Sequence, residues 1–208
     1  AVFQSAAHAL IPQALTLLSS DFPDLRVEIT ERKPELGLFE VSARDFDLVI
    51  AEQYPGHSRA HRSDLDRVDL ATDTLRLAVP RRRTGRTSAP KLSDAASLPW
   101  VMEPACTASR QWATQLCRSA GFEPDVRFET ADLVAHIRLI ESGNAVGILP
   151  DLVWAGDKPP VRLRELPGNP HRTVFTAARH SSASRPGVLA VRGALARAVA
   201  QVAAPPSF

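Results

Sequence analysis

The chain has 208 residues, a formal net charge of +2 and a hydrophobic content of 44%, which suit one folded domain or two small lobes. So small a net charge gives no argument for nucleic-acid binding by this segment. No apolar run approaches the roughly 18 residues needed to cross a membrane, and Arg192 and Arg197 interrupt the alanine-rich tail. We therefore expect no membrane partner.

The cysteines and the start of the chain bear on its cellular context. Cys106 and Cys117 lack a spacing that demands a disulfide, so a reduced, cytoplasmic protein is the simpler interpretation. The sequence begins at Ala1 with neither a methionine nor a charged-then-apolar leader. We expect a fragment of a longer protein, beginning near a domain boundary.

Strand and helix patterns alternate along the chain, which predicts an α/β architecture with mainly parallel strand pairing. In the first part the apolar spacing predicts helices at 7–20 and 36–43, and strands at 25–30, 47–51, 68–71 and 74–79. Polar residues predict loops at 53–64 and 81–91. Later elements are a helical turn at 92–98, helices at 107–120 and from Pro186, and strands at 100–102, 161–166 and 173–178, with a loop at 156–160.

The segment 118–150 is the most informative stretch. Gly121 and Gly143 each end a helix, because glycine adopts the left-handed backbone without steric cost. A strand at 126–129 leads directly to Thr130, the expected N-cap of the next helix, with Asp132 in its first turn. An apolar strand at 145–149 follows and Pro150 closes it. A strand that feeds a helix start leaves free backbone N–H groups, and open α/β sheets bind small ligands there.

The order of these pieces resembles the effector-binding domain of LysR-type transcriptional regulators over essentially the whole chain. The matching segments are Phe3-Gln4-Ser5-Ala6-Ala7 before Leu10-Ile11-Pro12, Phe22-Pro23-Asp24-Leu25-Arg26-Val27-Glu28, Asp45-Phe46-Asp47-Leu48-Val49-Ile50, Leu75-Arg76-Leu77-Ala78-Val79-Pro80 and Gly143-Asn144-Ala145-Val146-Gly147-Ile148-Leu149-Pro150. The last segment is the most specific. No single motif is diagnostic, and the ordered series carries the resemblance.

The resemblance implies an α/β fold of the type II periplasmic-binding-protein kind, with two lobes joined by two crossing strands and a ligand cleft between them. Lobe I would comprise residues 1–73 and 173–208, and lobe II residues 74–172. The family's N-terminal winged helix-turn-helix has no counterpart in this sequence. Direct DNA binding by the fragment is therefore not expected, and the intact protein would bind DNA through the absent part.

Candidate effector-binding residues lie where strands turn into helices. Ser5 lies at the first such turn, with Gln4 and Ala6 beside it, and Cys106-Thr107 and Thr130 lie at two turns of the middle segment. Each turn offers a hydroxyl beside unpaired N–H groups, which suits a carboxylate or another small anion. The resemblance gives Ser5, Thr107 and Thr130 this role, and Gln53 and Tyr54 are expected on the lobe I wall.

Simpler interpretations stand beside these. Ser5 and Thr130 could be helix caps alone, and the cap of the helix at 107–120 could be Cys106 or Ser109. Cys106 could be a reactive thiol near a helix start, although an inert side chain is the more common case. Arg110 could meet a ligand charge or form a surface pair.

Other patterns are weaker. His57 and His61 have metal-compatible spacing near Glu52, but no second ligand cluster accompanies them, so no metal and no cofactor are expected. The basic run from Arg81 to Arg83 is typical of a solvated loop. Trp112 is expected in the core or a dimer interface, and Trp100 could reach the cleft rim.

The sequence therefore predicts a sensor of a small, carboxylate-bearing effector and no catalytic residues, since no nucleophile elbow, phosphate-binding loop or dinucleotide fingerprint is present. The family typically pairs effector domains antiparallel, which implies a homodimer or homotetramer. The segments at 7–20 and 25–30 would face the helix at 107–120 or 131–142. A transporter's solute-binding protein on the same fold and a small enzyme using the cleft are the alternatives.

Overall fold

The structure is a computed structural model that describes residues 1–56, 62–81, 91–155 and 157–202. Its helices are α1 (Gln4–Ala9), α2 (Ile11–Asp21), α3 (Pro34–Ser42), α4 (Ala108–Ser119), α5 (Leu133–Glu141) and α6 (Pro186–Val202), with short 3-10 turns at Leu92–Ala95 and Asp151–Trp154. Its strands are β1 (Val49–Gln53), β2 (Leu65–Val79), β3 (Pro99–Met102), β4 (Asp125–Glu129), β5 (Gly147–Pro150), β6 (Arg162–Glu165) and β7 (His171–Arg179). None of the described helices is long and apolar enough to span a membrane.

The long strand β2 connects two halves of the molecule. Its first part, Leu65 to Thr74, pairs with β7, which also pairs with β1. Its second part, Leu75 to Val79, pairs with β5 and β6. We call the part around β1 and β7 the terminal half, because the first and last described segments build it, and the part around β3, β4 and β5 the central half.

Each half has its own buried core, as expected when two layers of secondary structure bury their apolar faces separately. In the terminal half, α1, α2 and α6 pack on the sheet through buried side chains such as Leu10, Leu18 and Leu195. In the central half Trp100 is fully buried and its indole Nε1 donates a hydrogen bond to the Ala95 carbonyl at 3.1 Å. A cleft can therefore open between two separately stabilised bodies.

The expectation of mainly parallel pairing was wrong for the described strands. Every ladder of the five-stranded sheet is antiparallel, and among the named strands only β3 and β4 form a parallel pair. The physical reason is that β2 and β7 form a long antiparallel ladder at the centre of the sheet. The shorter strands β1, β5 and β6 then pair with one of these two strands, also antiparallel.

Two predicted strands also differ from the structure. Residues 25–30 form no strand. Among the described residues Val2 makes single bridges to Glu31 and Ile50, and the chain turns into α1 at Gln4 before a longer ladder can form. The strands expected at 68–71 and 74–79 are one continuous strand. Thr72 and Asp73 do not interrupt it, since they pair with Thr173 and Arg172 across β7.

The helix predicted at 7–20 is divided at Leu10 into α1 and α2. Pro12 lies in the first turn of α2, where its missing N–H group would be unpaired in any case. The predicted helix ends at Gly121 and Gly143 are confirmed by their left-handed φ angles of 88° and 85°. The remaining predicted helices are also present, with boundaries shifted by a few residues.

Candidate functional site

A cavity of about 120 Å³ lies between the two halves. Its lining comes from element ends, namely the starts of α1, α3, α4 and α5 and the segments that follow β1 and β3. The lining side chains include Phe3, Gln4, Ser5, Lys33, Glu52, Tyr54, Met102, Glu103, Thr107, Ser109, Arg110, Trp112, Leu133, His136 and Arg172. The space fits a small metabolite more readily than a polymer.

The first residues of four helices converge on this cavity. Gln4 opens α1, Pro34 opens α3, Ala108 opens α4 and Leu133 opens α5, and all four residues line the space. Helix N-termini carry unpaired N–H groups and a partial positive charge. The convergence therefore adds partial positive charge to the walls of the cavity, whose lining also contains the carboxylates of Glu52 and Glu103.

The wall formed by the terminal half, the terminal wall, is built around the buried guanidinium of Arg172, which is only 3% exposed. Arg172 pairs with the carboxylate of Glu52, donates to Asp73 Oδ2 at 2.8 Å and donates to Ser5 Oγ at 2.7 Å. Burial alone would lower the pKa of Arg172, but the negative charges of Glu52 and Asp73 outweigh it and raise that pKa. The guanidinium stays charged and holds β1, β2, β7 and α1 together.

Two aromatic rings close the floor of the cavity across the two halves. The rings of Tyr54 and Trp112 lie 5.6 Å apart between centroids and are tilted by 35°. This separation is typical of a favourable aromatic pair. Burial, and then the nearby Glu52 carboxylate, raise the pKa of the Tyr54 phenol, so this hydroxyl stays neutral.

The wall formed by the central half, the central wall, begins with the start of α4. Thr107 is the N-cap, and its Oγ1 accepts from the Arg110 backbone N–H at 3.3 Å. Ser109 donates to Glu103 Oε2 at 2.7 Å, and the Arg110 guanidinium donates to the Glu103 carbonyl at 3.0 Å. The Arg110 guanidinium also lies 3.5 Å from the Glu129 carboxylate. Of the two roles expected for Arg110, contact with a ligand charge or an ion pair within the protein, the structure contains the ion pair.

The start of α5 supplies the other part of the central wall. Asp132 is the N-cap, with Oδ1 accepting from the Val134 N–H at 2.8 Å, so the prediction of Thr130 as the cap was wrong. Thr130 Oγ1 instead accepts from the Asp132 N–H at 3.1 Å, one step before the helix. A carboxylate two residues closer to the helix captures the first-turn amide that the hydroxyl cannot reach.

His136 lies one turn into α5, lines the cavity and is only 3% exposed. Its Nε2 lies 2.8 Å from the Thr130 carbonyl oxygen, whereas its Nδ1 has no hydrogen-bond partner among the described residues. Burial lowers the pKa of His136, although the Thr130 carbonyl and the charges of Glu103 and Asp132 act in the opposite direction. The ring is therefore held in its neutral form near pH 7.

Polar contacts also connect the halves across the cleft. Gln4 Oε1 accepts from the backbone N–H of Leu133, the first residue of α5, at 2.9 Å. Lys33 Nζ lies 3.9 Å from the exposed Cys106 Sγ. The amide oxygen of Gln4 thus occupies one of the N–H groups that the helix start would offer to a ligand.

The structure brings three of the seven predicted site residues to the cavity, namely Gln4, Ser5 and Thr107. Of the others, Ala6 is buried, Cys106 and Thr130 lie beside lining residues, and Gln53 accepts a hydrogen bond from Arg67 on an exposed face. None of these four lines the cavity.

Sequence reasoning missed many residues that line the cavity, among them Lys33, Glu103, His136 and Arg172. Arg172 begins a strand and gave no local signal, since its partners Glu52 and Asp73 are distant in sequence. His136 lies on a helical stripe that also fits a core position. Trp112 lines the cavity as well as the core, and Trp100 lies wholly in the core, away from the rim.

The structure adds no support for the weaker sequence patterns. His57 and His61 lie outside the described residues, and no cluster of metal-binding side chains occurs within the described ones. Most of the basic run after Arg81 also lies outside them. Both cysteines are free, and burial followed by the charge of Glu123 raises the pKa of Cys117 to about 12.

Residues 1–200 match the family model of the LysR substrate binding domain. The chain belongs to this family. The transcriptional dual regulator GltC of Bacillus subtilis (strain 168) is 26% identical over 156 residues, which are 74% of this chain and 51% of GltC. The chain thus spans about half the length of the curated relative that it matches.

Solved structures share the fold. The sulfate-bound regulatory domain of an OxyR2 point mutant from Vibrio vulnificus superposes with a TM-score of 0.76 at 16% identity, covering 95% of this chain and 93% of that one. Full-length CbnR in complex with its target DNA superposes with a TM-score of 0.72 at 19% identity, covering 95% and 68%. The family resemblance and the type II periplasmic-binding-protein-like fold are thus confirmed.

Proposed function

We propose that this chain senses a small anionic metabolite, probed most simply as a carboxylate, for a LysR-type transcriptional regulator. The observation that carries the proposal is the convergence of four helix N-termini from both halves on one cavity. The sulfate bound to the related OxyR2 domain supports an anion site on this fold. Lys33 adds a positive charge at the rim.

The division into lobes follows from the same proposal. Lobe I would comprise residues 1–73 and 173–208, and lobe II residues 74–172, with β2 and the segment before β7 as the crossing connections. A ligand held by both lobes stabilises the closed arrangement only by its affinity difference between closed and open states. Sensing, and not catalysis, is the role that such a hinged cleft supports.

The whole protein would read DNA through a segment outside this chain. The complex of full-length CbnR with its target DNA supports this part of the proposal. We further propose a cytoplasmic homodimer or homotetramer, in which α2 faces α4 or α5 of a second copy. The exposed apolar side chains of Leu15 on α2 and Val134 on α5 fit such a contact.

The anion site can be tested by thermal unfolding with sulfate and a panel of small carboxylates at constant ionic strength. A ligand at about a hundred times its Kd adds about 2.7 kcal/mol, which raises the Tm by roughly 5–10 °C for a chain of this size. Gln4→Glu places a carboxylate beside the first backbone N–H of α5, to which Gln4 bonds across the cleft. This variant should weaken anion binding about tenfold or more, because like charges then meet in the cleft.

Gln115→Glu is the matched control, since Gln115 is exposed on α4 and does not line the cavity. It adds the same charge to the chain and should leave anion binding unchanged. The absence of a Tm rise with every anion, together with a clear rise for sugars or cations, would contradict the proposed chemistry.

A further inference from the structure

We propose that Nδ1 of His136 accepts a hydrogen bond from the effector, so that the effector carries a hydroxyl or ammonium group beside its carboxylate. This inference rests on the proposed function, because it concerns the same cleft. It identifies a specificity-determining contact and narrows the ligand to small hydroxy acids or amino acids.

The first step is the environment of the imidazole. The ring is only 3% exposed, lines the cavity and leaves Nδ1 without a hydrogen-bond partner among the described residues. Buried polar atoms are nearly always paired, and the exceptions mark positions with a task or a missing partner. Because His136 lines the cavity, a ligand that packs against the ring is the partner that we propose for Nδ1.

The second step fixes what the partner must be. The Thr130 carbonyl oxygen, 2.8 Å from Nε2, can only accept, so Nε2 must carry the proton and donate it. In the neutral ring the other nitrogen, Nδ1, then has a lone pair and acts as an acceptor. A ligand group that pairs with Nδ1 must therefore be a donor.

The third step is the charge around the ring. Glu103 lines the same cavity, and Glu103 and Asp132 are the acidic groups that act on His136. Negative charges beside the ring disfavour a ligand carboxylate at this point and favour a hydroxyl or ammonium group. The carboxylate of the ligand belongs near the positive charge of Lys33 instead.

The fourth step is size. A cavity of about 120 Å³ accepts a compact molecule, in which the acidic group and the donor lie only a few bonds apart. The 2-hydroxy and 2-amino carboxylates of two to five carbons meet this description. The unsubstituted acids of the same length lack the donor and serve as matched probes.

The test compares, by calorimetry and thermal unfolding, three series of two- to five-carbon mono- and dicarboxylates, namely 2-hydroxy, 2-amino and unsubstituted. With the unaltered chain, the best donor-bearing acid should bind about tenfold or more tightly than its unsubstituted counterpart, since the latter leaves Nδ1 unpaired. Equal binding of both members of each pair would overturn this inference and leave the proposed anion site intact. No binding by any acid would overturn both.

His136→Gln is the informative variant. Its side-chain amide can still donate to the Thr130 carbonyl from the Nε2 position, but it places no acceptor at Nδ1. The variant should retain the Tm of the unliganded chain and lose the preference for donor-bearing acids. A preserved preference would overturn the inference. Substitution of the exposed His8 by Gln is the control and should keep the preference.

A second measurement does not depend on the variant's folding. Long-range ¹H–¹⁵N NMR of the unaltered chain near pH 7 should show a neutral ring with its proton on Nε2. Addition of the best-binding acid should then move the Nδ1 resonance in the direction of a hydrogen-bonded acceptor. A proton on Nδ1, or an Nδ1 resonance that the bound acid does not change, would overturn the inference.

Discussion

The two walls of the cleft satisfy their polar groups in different ways. On the terminal wall, Ser5, Glu52 and Arg172 are bonded to one another inside the protein. On the central wall, His136 has a buried ring nitrogen, Nδ1, without a hydrogen-bond partner among the described residues. A wall whose groups are already paired mainly stabilises the fold, whereas a wall with an unpaired group can recognise a ligand. We therefore expect the polar residues of the terminal wall to contribute mainly to stability, and His136 on the central wall to contribute to recognition.

The largest expected effect would break the terminal wall. Arg172→Met removes the cation between Glu52 and Asp73, so that two buried carboxylates lose the positive charge that offsets them. Loss of one partner of a buried ionic network costs about 3–5 kcal/mol of unfolding free energy. Urea unfolding followed by circular dichroism measures this loss.

The matched control removes an arginine from the surface. Arg26 pairs with Glu28 with side chains that are 86% and 74% exposed, so Arg26→Met should leave the unfolding free energy within a few tenths of a kcal/mol. If Arg172→Met were as mild as Arg26→Met, the terminal wall would not be the stabilising one.

A smaller effect is expected at Ser5, which sequence reasoning assigned to the effector. Ser5→Ala removes the acceptor of a buried hydrogen bond from Arg172, and such bonds to charged groups contribute about 1.5–3 kcal/mol. Chemical unfolding without any ligand should show this loss. Ser19→Ala on the exposed face of α2 is the control. An unaltered stability of Ser5→Ala would show that the hydroxyl serves only the ligand.

The smallest expected effect compares two neighbouring positions on the central wall. Asp132→Ala removes the N-cap of α5 and should cost about 1 kcal/mol. Thr130→Ala should cost only a few tenths, because its hydroxyl bonds to an exposed turn amide before the helix. Thermal unfolding of the two variants in parallel measures the difference, and the reverse order would contradict the assignment of the cap.

Local patterns predicted much of the fold. The glycine helix ends, the tolerated Pro12 and the amphipathic helices depend on backbone conformation and apolar spacing within a few residues. The direction of strand pairing could not be read in the same way, because it depends on which distant segments meet. The continuity of β2 through Thr72 and Asp73 likewise depends on pairing with β7.

The residues of the candidate site likewise differ in whether the sequence could predict them. Gln4, Ser5 and Thr107 could be found from the sequence through the family resemblance and their place at strand-to-helix turns, although the first helix was predicted to begin only at residue 7. Arg172 and Glu52 could not, because 120 residues separate them and only the sheet brings them together. The sequence by itself predicted several helix starts and, from them, the hypothesis of an anion site. Only the tertiary structure decided which polar groups pair inside the protein and that His136 Nδ1 has no hydrogen-bond partner among the described residues, because such partners are set by distance in space.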